Sequence, residues 1–344
     1  MNEAASDKLT DRFGRKLTYM RISVTDRCNF RCVYCMPADG LPFAPREELL
    51  SYEEITELVE VFAAQGVRRV RITGGEPLVR AELPRLVAML KEVDGIDKVA
   101  MTTNAFLLKK YAQPLEDAGL DSVNISLDTL DPARFKEITR VGSLERVLEG
   151  IEAARQADFS SIKLNAVIVG GFNDDEMPAL VRFAMERDLI MRFIEFMPIG
   201  DTVWAEGKGD CVPARTMRET LSEHWTLEAD TERYGTGPAR YWRLHGADTP
   251  DEGHPFGIIS AVTECFCAAC NRVRLTSVGG LRACLADDQE VDLREPLRTV
   301  DDPQRRREVV EHRIQMALFG KKERHAFDID GGSVTNKQMT SIGG

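Results

Sequence analysis

Six short segments rich in β-forming residues alternate with helical patterns, and this alternation constrains the fold more than any other feature of the sequence. Strands that are separated by helices run parallel, with right-handed crossovers. The pattern therefore predicts an α/β fold, either an open doubly wound sheet or a partial barrel. The six segments are Tyr19 to Val24, Arg69 to Thr73, Lys98 to Thr102, Ser122 to Ser126, Ile162 to Val169 and Ile190 to Phe196.

The helical patterns between these segments supply the crossovers. The first has the clearest signals: Ser51 and Glu54 form a capping-box pattern, apolar residues follow at helical spacing, and Gly66 ends the pattern. Further helices are predicted at Leu83 to Glu92, Lys109 to Ala118, Leu144 to Ala157 and Glu176 to Met185.

One face of the predicted strands is polar toward their C-terminal ends. A fully closed barrel has a packed apolar interior, so a polar inner face favours a wide, incompletely closed barrel that holds a polar ligand. In such a fold the chemistry lies at the C-terminal strand ends. The inward residues, read from the alternation of side chains along each strand, are Arg21, Ser23, Thr25, Arg69, Arg71, Thr73, Asn124, Ser126, Asp128, Lys163 and Asn165.

Charge and the N-terminal segment restrict the class of protein. The net charge of -11 argues against general binding to nucleic acid or to a membrane surface, because phosphate groups require positive potential. No segment approaches the roughly 18 consecutive apolar residues of a membrane span. The acidic residues Glu3, Asp7 and Asp11 fit neither a secretory signal nor a transit peptide. A cytoplasmic protein is predicted, with no nucleic-acid or membrane partner.

Seven of the eight cysteines fall into two groups, and Cys211, interpreted as a packed thiol, stands alone. Disulfides are rare in a reducing cytoplasm, so the two groups predict two metal sites. The first group is Cys28, Cys32 and Cys35, and the second is Cys265, Cys267, Cys270 and Cys284.

The first group has one ligand fewer than a closed tetrahedral metal site. Three thiolates on a 4Fe-4S cluster leave one iron without a protein ligand, and that iron can bind a substrate or cofactor. A zinc site completed by a distant residue is the alternative, and it is disfavoured because no His lies near residue 28.

The second group contains the spacing Cys-x2-Cys-x13-Cys. Gly279-Gly280 predicts a two-residue hairpin turn that brings Cys284 opposite Leu275 and toward Cys270. The result is a compact three-thiol site, and the alternative is a structural zinc ribbon. Cys265 is an additional thiol nearby, and the sequence leaves open whether it replaces one of these three cysteines as a ligand.

Cys28-Asn-Phe-Arg-Cys32-Val-Tyr34-Cys35 resembles the signature of radical S-adenosylmethionine enzymes, and Gly74-Gly75-Glu76-Pro77 resembles the segment that meets the amino group of the cofactor. With the second cysteine group, the chain resembles the GTP 3',8-cyclase family, or molybdenum cofactor biosynthesis protein A family, from about residue 10 to its end. The resemblance implies an incomplete (βα)6 TIM-like barrel over residues 10–230. It implies a C-terminal extension over residues 231–344 with antiparallel strands, a second Fe-S cluster and a Gly-Gly tail.

The same resemblance implies a reaction. GTP would be converted to (8S)-3',8-cyclo-7,8-dihydroguanosine 5'-triphosphate, the first step of molybdenum cofactor biosynthesis, with two 4Fe-4S clusters and S-adenosyl-L-methionine. It also implies a one-electron reductant, transient contact with the next enzyme of the pathway, and compatibility with a homodimer. The alternatives are a radical peptide or protein maturase with an auxiliary cluster, and a zinc-stabilised binding module without enzymatic activity.

Residue roles follow by resemblance. The implied metal ligands are Cys28, Cys32, Cys35, Cys267, Cys270 and Cys284. The implied S-adenosylmethionine contacts are Tyr34, Gly75, Ser126 and Met197. The implied GTP contacts are Arg21, Arg71, Thr102, Lys163, Arg272, Val273 and Arg274. The implied catalytic residues are Arg21, Arg272, Arg274, Gly343 and Gly344.

Physical arguments separate these cations from others in the chain. A buried cation is costly without an anion, so inward-facing Arg71 and Lys163 are expected to meet the triphosphate. Arg305 and its two neighbours are interpreted as solvated surface charges or salt-bridge partners. Ala105 stands where relatives commonly have glycine, which predicts a slightly different turn, and residues 207–253 carry little pattern.

Overall fold

All six predicted strands are present, and they pair in chain order as a parallel sheet. The computed structural model describes residues 9–200, 209–327, 335 and 337–343. The prediction of parallel strands with helical crossovers is therefore confirmed. The strands are β1 (Tyr19–Ser23), β2 (Arg69–Thr73), β3 (Lys98–Thr103), β4 (Ser122–Ser126), β5 (Ser161–Gly170) and β6 (Ile190–Glu195).

Every predicted helix forms, and the first begins at the predicted capping box. Ser51 Oγ accepts a hydrogen bond from Glu54 N at 3.1 Å, and Glu54 Oε2 accepts one from Ser51 N at 2.7 Å. The sequence did not predict α4, whose N-cap Asp131 accepts a hydrogen bond from the backbone of Arg134. The helices of this region are α1 (Tyr52–Ala64), α2 (Leu83–Lys91), α3 (Leu108–Asp117), α4 (Pro132–Thr139), α5 (Leu144–Gln156) and α6 (Met177–Met185).

The later part of the chain extends the sheet at both of its edges. It contains β7 (Asp210–Cys211), α7 (Ala214–Ser222), β8 (Thr226–Asp230), β9 (Arg240–His245), β10 (His254–Ile259), β11 (Arg272–Leu275), β12 (Gly280–Arg282), β13 (Val291–Asp292), α8 (Arg294–Thr299), α9 (Pro303–Phe319) and α10 (Met339–Ile342). The strand order is β13-β12-β11-β1-β2-β3-β4-β5-β6-β10-β9-β8, and β7 pairs with β5.

The two added sets of strands are antiparallel within themselves, as predicted. Each set joins the central sheet through a parallel strand, β11 beside β1 and β10 beside β6. No pairing in the described part of the chain links β13 to β8, so the sheet stays open. The incomplete barrel is confirmed as the fold class. The predicted domain boundary at residues 230/231 falls in the connection between β8 and β9, and the two-domain division stays a prediction.

The turn between β11 and β12 differs from the predicted two-residue hairpin. Thr276 N donates to Gly280 O at 2.8 Å, and Gly279 adopts φ +89° in a loop of three residues. The longer loop pairs Leu275 with Leu281, so the prediction that Cys284 lies opposite Leu275 was wrong. Cys284 instead lies three residues past Leu281, toward the start of β11.

Apolar and polar side chains occupy opposite faces of the central strands. Met20, Ile22, Val70 and Ile72 are fully buried in the core between the sheet and its helices. Most residues of the opposite parity line the cavity described below, as the alternation along the strands predicts. Ser23 and Thr25 do not line it: both are buried, and the backbone of Thr25 is covered by the Gly75 segment.

Candidate active site

A cavity of about 900 Å³ lies against the inner face of the sheet and extends to the loops past its C-terminal edge. It collects the first cysteine group, the predicted cofactor contacts and most of the predicted GTP contacts. The predicted residues that line it are Arg21, Cys28, Cys32, Tyr34, Cys35, Arg71, Gly75, Thr102, Ser126, Lys163, Met197, Arg272 and Arg274. Predicted residues outside the lining are Val273, Gly343, Cys267, Cys270 and Cys284, and Gly344 lies outside the described residues.

The thiols of the first cysteine group form one wall of this cavity. Phe30 N donates a hydrogen bond to Cys28 Sγ at 3.3 Å. Burial, then the charge of Glu76, raises the pKa of Cys28 to about 12, and burial with repulsion between the thiols holds the pKa values of Cys32 and Cys35 well above their usual range. These thiols keep their protons until a metal replaces them. Three half-buried sulfur ligands, with an N–H···S contact on Cys28, fit an iron–sulfur cluster.

Two glycines at the end of β2 allow the backbone to approach the loop that leads into Cys28. Gly75 N donates to Thr25 O at 2.8 Å. A Cβ atom on Gly75 would lie 2.4 Å from Arg27 O, and one on Gly74 would lie 2.6 Å from Thr25 O. Glycine is therefore required here by backbone packing. The packing sets Gly75 beside the cysteine loop, where it lines the cavity.

Glu76 links this glycine segment to the end of β3. Its carboxylate accepts hydrogen bonds from Thr103 Oγ1 at 2.7 Å, Asn104 N at 2.7 Å and Leu78 N at 3.1 Å. Burial raises the pKa of Glu76 to about 7, although these hydrogen bonds oppose the shift. The residue thus fixes two strand ends relative to each other.

The other predicted cofactor contacts approach the cavity from separate strands. Ser126 is the last residue of β4, and Met197 follows β6 by two residues. Both line the cavity with Tyr34 of the cysteine loop. The fold thus brings together residues that lie far apart in sequence, and their cofactor contacts stay predictions.

Buried cations form a second wall of the cavity. Lys163 is 6% exposed, and its pKa is lowered to about 7 by burial and by the charges of Arg192 and Arg71. Arg71 Nη1 donates to Met101 O at 3.0 Å and contacts Thr102 Oγ1 at 3.4 Å. Because buried cations are costly, this wall is suited to a polyanion.

Arg192 belongs to the same wall, although the sequence pattern did not predict it as a cavity residue. Its Nε donates to Asn165 Oδ1 at 2.9 Å, and its Nη2 is buried without a hydrogen-bond partner among the described residues. Arg192 pairs with Asn165 across β5 and β6, so its inward parity was a signal that could have found it. Tyr19, whose hydroxyl accepts a hydrogen bond from Arg71, is missed too.

The arginines of β11 join this wall because β11 runs parallel to β1. Arg272 lies beside Tyr19, and Arg274 lies beside Arg21. Burial, then the charges of Arg21 and Arg272, holds the pKa of Arg274 well below its usual range. Val273 lies between them with its side chain fully buried in the core, and its contact with GTP stays a prediction.

The C-terminal tail reaches this group of arginines. The carbonyl of Gly343 accepts a hydrogen bond from the guanidinium of Arg274. Gly343 adopts φ +71°, and a Cβ atom there would lie 2.8 Å from Thr73 Cγ2. The tail therefore packs at the C-terminal edge of β2, and only a glycine fits this position without strain.

The second cysteine group lies beside the arginines, behind the cavity lining. Lys321 Nζ donates to Arg272 O at 3.0 Å and to Ala283 O, the residue before Cys284. Burial raises the pKa of Cys270, but the charges of Lys321 and Arg272 outweigh it and bring the pKa to about 7. A thiolate is therefore readily available here, and three thiols in a cationic surrounding fit a second cluster.

Ala105 adopts φ +60° and is fully buried. The turn thus has the left-handed backbone that favours glycine, despite the alanine side chain.

In the described part of the chain, no helix has both the length and the apolar composition needed to cross a bilayer.

Two family patterns cover most of the chain. The radical SAM superfamily matches residues 22–184, and Molybdenum Cofactor Synthesis C matches residues 189–327. The cavity residues of the cysteine loop and of β2 to β5 fall in the first match, and β11 with the second cysteine group falls in the second.

Curated relatives match over almost their whole length. A GTP 3',8-cyclase of Heliobacterium modesticaldum is 44% identical over 98% of this chain and 100% of the relative. One of Pseudomonas putida is 45% identical over 99% of this chain and 100% of the relative. One of Lactiplantibacillus plantarum is 41% identical over 98% of this chain and 100% of the relative.

Among solved structures, Streptococcus suis SuiB bound to S-adenosylmethionine matches with a TM-score of 0.59 and 17% identity, covering 88% of this chain and 67% of that chain. This likeness concerns the fold alone. The identities and coverage of the curated relatives carry the assignment: the chain belongs to the GTP 3',8-cyclase family, within the radical S-adenosylmethionine superfamily.

Proposed function

We propose that this chain is a GTP 3',8-cyclase that converts GTP to (8S)-3',8-cyclo-7,8-dihydroguanosine 5'-triphosphate in molybdenum cofactor biosynthesis. Relatives of that name, above 40% identical over nearly the full length, support the activity. The observation that carries the assignment in the structure is that the three thiols of the first cysteine group and a set of cations line one cavity.

The first cysteine group and the glycine segment of β2 are the parts that the superfamily requires. Cys28, Cys32 and Cys35 would hold a 4Fe-4S cluster, which together with S-adenosylmethionine would supply the radical chemistry needed to remove the 3' hydrogen of GTP. Tyr34, Gly75, Ser126 and Met197 would hold the cofactor, because all four line the cavity around the thiols.

The cationic wall would bind the triphosphate. Guanidinium and ammonium groups replace the backbone nitrogens of a phosphate-binding loop, which the sequence lacks. The unpartnered Nη2 of Arg192 and the lowered pKa of Lys163 both indicate groups that gain from a nearby anion. The proposed triphosphate contacts are therefore Arg21, Arg71, Lys163 and Arg192, with Thr102 at their edge.

Cys267, Cys270 and Cys284 would hold a second 4Fe-4S cluster, and its iron without a protein ligand would offer a binding position for the guanine edge. The cationic surrounding of Cys270 supports a cluster of thiolates there. Arg272 and Arg274 would then lie between base and phosphates, and Gly343 would fix the orientation of Arg274 through its carbonyl. These residues orient C8 of the base toward C3' of the ribose.

The reaction balances with electrons from outside the chain. Conversion of GTP to the cyclic dihydro product, with S-adenosylmethionine ending as 5'-deoxyadenosine and methionine, would require two electrons and one proton. We propose a one-electron reductant and the next enzyme of the pathway as transient partners, a cytoplasmic location, and a homodimer as the assembly compatible with the family.

GTP deuterated at the ribose 3' position tests the activity. Anaerobic turnover of the full chain with S-adenosylmethionine and a reductant is expected to move deuterium into 5'-deoxyadenosine and to yield the cyclic product. Deuterium-free 5'-deoxyadenosine from substrate-dependent turnover would contradict the proposal. A peptide maturase, the enzymatic alternative, would cleave S-adenosylmethionine without any label transfer from GTP, and a colourless zinc protein would contradict both.

A further inference from the structure

Three possible metal-ligand atoms in and beside the second cysteine group lie closer together than the thiols of an iron–sulfur cluster would. Cys265, Cys267 and His325 offer two sulfurs and one imidazole nitrogen that all lie within 4.8 Å of one another. In the described part of the chain this is the only group of three or more His, Cys, Asp or Glu residues with that spacing. It mixes one predicted cluster ligand with two residues that have no assigned role.

The spacing suits a single ion. Ligands of one tetrahedral zinc ion, bonded at about 2.0 to 2.3 Å, lie about 3.5 to 4 Å apart. Thiols on different irons of a cubane cluster are separated by a metal–metal edge and two outward bonds, which places them farther apart. Small side-chain rotations would therefore bring Cys265, Cys267 and His325 onto one ion, while the same set is too tight for three corners of a cluster.

A buried polar atom at this point independently indicates a ligand. His325 Nε2 is buried and makes no hydrogen bond of normal geometry among the described residues, although the backbone of Ala261 lies near the ring. Phe327 N donates to the other ring nitrogen, Nδ1, at 3.1 Å. A buried nitrogen without a partner is costly, and a metal ion at Nε2 removes that cost. Metal uptake would move the ring proton to Nδ1 and displace the Phe327 contact.

The fold holds the two contributing segments together without any metal. Arg15 Nη1 donates to Cys267 O at 2.9 Å and to Glu323 O at 2.8 Å, so one guanidinium joins the cysteine loop to the segment before His325. Arg15 is itself buried and paired with Asp11 at 2.6 Å. The ligands are thus brought close by a buried ion pair that a metal-free chain keeps.

The start of the cysteine loop is fixed in the same way. Glu195, fully buried at the end of β6, accepts hydrogen bonds from Val262 N at 2.7 Å and Thr263 N at 2.9 Å. Cys265 follows Thr263 by two residues, so these hydrogen bonds fix the backbone from which the Cys265 side chain extends.

We propose that Cys265, Cys267 and His325 form a site for one thiophilic divalent ion, zinc in the first place, with a water in the fourth position. Two thiolates and an imidazole are a donor set that zinc prefers. Because Cys267 also belongs to the set Cys267, Cys270 and Cys284, a zinc ion at this site and a cluster on that set exclude each other. Binding releases the protons of both thiols.

Cobalt and zinc titration of the full chain, isolated without iron, tests the site. Co²⁺ is expected to give the thiolate charge-transfer and d–d bands of a tetrahedral site at one equivalent, and Zn²⁺ is expected to displace it. Cys265→Ser and His325→Gln are expected to weaken Co²⁺ binding about tenfold or more. Cys270→Ser and Cys284→Ser, which change only the cluster set, are expected to leave it within about threefold.

The reverse ranking overturns the proposal. If Cys270→Ser and Cys284→Ser abolish the bands while Cys265→Ser and His325→Gln keep them, the ion lies in the cluster set. A wild-type chain that shows no tetrahedral Co²⁺ bands rejects the site as well. Thermal unfolding of each variant with and without Zn²⁺ distinguishes misfolding from loss of the metal site. A variant that unfolds cooperatively, but whose Tm does not rise with Zn²⁺, is folded and has lost the site.

Iron reconstitution tests the mutual exclusion, which rests on the proposed second cluster. Zinc-loaded wild type is expected to take up iron and sulfide for one cluster, and zinc-treated Cys265→Ser is expected to take up enough for two. Equal incorporation of two clusters in both proteins would refute the exclusion. A single cluster in the zinc-free wild type would instead count against the second cluster of the proposed function, whatever the cobalt spectra show.

Discussion

The hydroxyl of Tyr34 donates a hydrogen bond to Asp128 Oδ2 at 2.7 Å and thereby ties the cysteine loop to the residues that follow β4. The other carboxylate oxygen of Asp128 accepts from Val167 N at 2.8 Å, so the carboxylate also reaches β5. Burial raises the pKa of Asp128 to about 6, although both hydrogen bonds oppose the shift. The position of the loop in the cavity thus depends on one buried carboxylate.

Tyr34→Phe is expected to lower the free energy of unfolding by about 1 to 3 kcal/mol near neutral pH, because a buried acceptor loses its partner. The folded-state pKa of Asp128 is raised, so its contribution to stability falls as pH rises from 3.8 toward 6. Loss of the hydroxyl raises that pKa further, so the pH-dependent part of the defect should be small below pH 6 and should grow as the pH rises through about 6. Urea unfolding at several pH values measures it.

Tyr111→Phe is the matched control, since Tyr111 is also half-buried and its hydroxyl makes no hydrogen bond among the described residues. Equal losses in the two variants, or a Tyr34→Phe defect that shrinks as the pH is raised, would show that the hydrogen bond does not stabilise the loop.

Binding of GTP is expected to be accompanied by uptake of roughly one proton at about pH 8.5, because a bound triphosphate restores the lowered pKa of Lys163. The pKa of Lys163 is about 7 in the ligand-free fold against 10.5 ordinarily. Between pH 7 and pH 10.5, Lys163 is protonated in the unfolded chain but not in the ligand-free fold. The free energy of unfolding of the ligand-free protein therefore rises with pH in this range. Calorimetry of GTP binding without reductant, in buffers of different ionisation enthalpy, measures the uptake.

Lys163→Met should abolish the proton uptake and weaken binding. Lys109→Met is its control, because Lys109 lies on α3 with its side chain 65% exposed and paired with Glu149 at 3.2 Å. Unchanged proton uptake in Lys163→Met would assign the proton to another group and remove Lys163 from the triphosphate site.

Arg272→Ala and Arg274→Ala are each expected to reduce formation of the cyclic product by about 100-fold or more, because a cation that lines the cavity is lost. Iron and sulfide content should stay unchanged, since neither side chain is a cluster ligand. Arg305→Ala removes an exposed arginine that pairs with Glu308 on α9, and it should retain full activity. Turnover of either β11 variant at the rate of Arg305→Ala would refute the assigned role.

The tail residue Gly343 gives a test of the packing at the end of β2. Gly343→Ala has two penalties, the positive φ and a Cβ atom 2.8 Å from Thr73 Cγ2, so the tail should leave its position and activity should fall. Gly14→Ala has a similar φ of +76° with nothing within 4 Å, and it serves as a control for strain alone. Product formation per folded protein should drop only in Gly343→Ala. Equal activity in both variants would show that the tail takes no part.

Alternation along strands predicts much of the cavity, because a strand turns every second side chain to the same face whatever its neighbours are. Arg71 and Lys163 are found this way. Arg192 is missed although it has inward parity, because Met191 and Phe193 beside it make β6 resemble a wholly buried strand. The cysteine triplets predict cluster chemistry because their spacing is local in the sequence.

Contacts between distant segments escape this kind of prediction. His325 has no local signal, and its approach to Cys265 depends on the way Arg15 joins two segments. β8 is an edge strand whose residues are exposed or half-buried, so it shows no apolar alternation and becomes a strand only by pairing with β9. The hairpin after β11 is predicted with the wrong length because Thr276 Oγ1 accepts from Gly280 N and extends the turn.

Ala105 allows a prediction about stability that is independent of the chemistry. Its φ of +60° costs an alanine about 1 to 2 kcal/mol, but replacement by glycine also removes a buried methyl group and adds freedom to the unfolded chain. These effects oppose each other, so Ala105→Gly should change the free energy of unfolding by less than about 1 kcal/mol.

Gly150→Ala is the contrasting variant, because its Cβ would lie 2.1 Å from Ala105 O, a backbone atom that cannot move aside cheaply. It should lose about 2 kcal/mol or more. Urea unfolding compares the two; a Gly150→Ala chain as stable as Ala105→Gly would show that α5 and the turn at Ala105 do not pack as described.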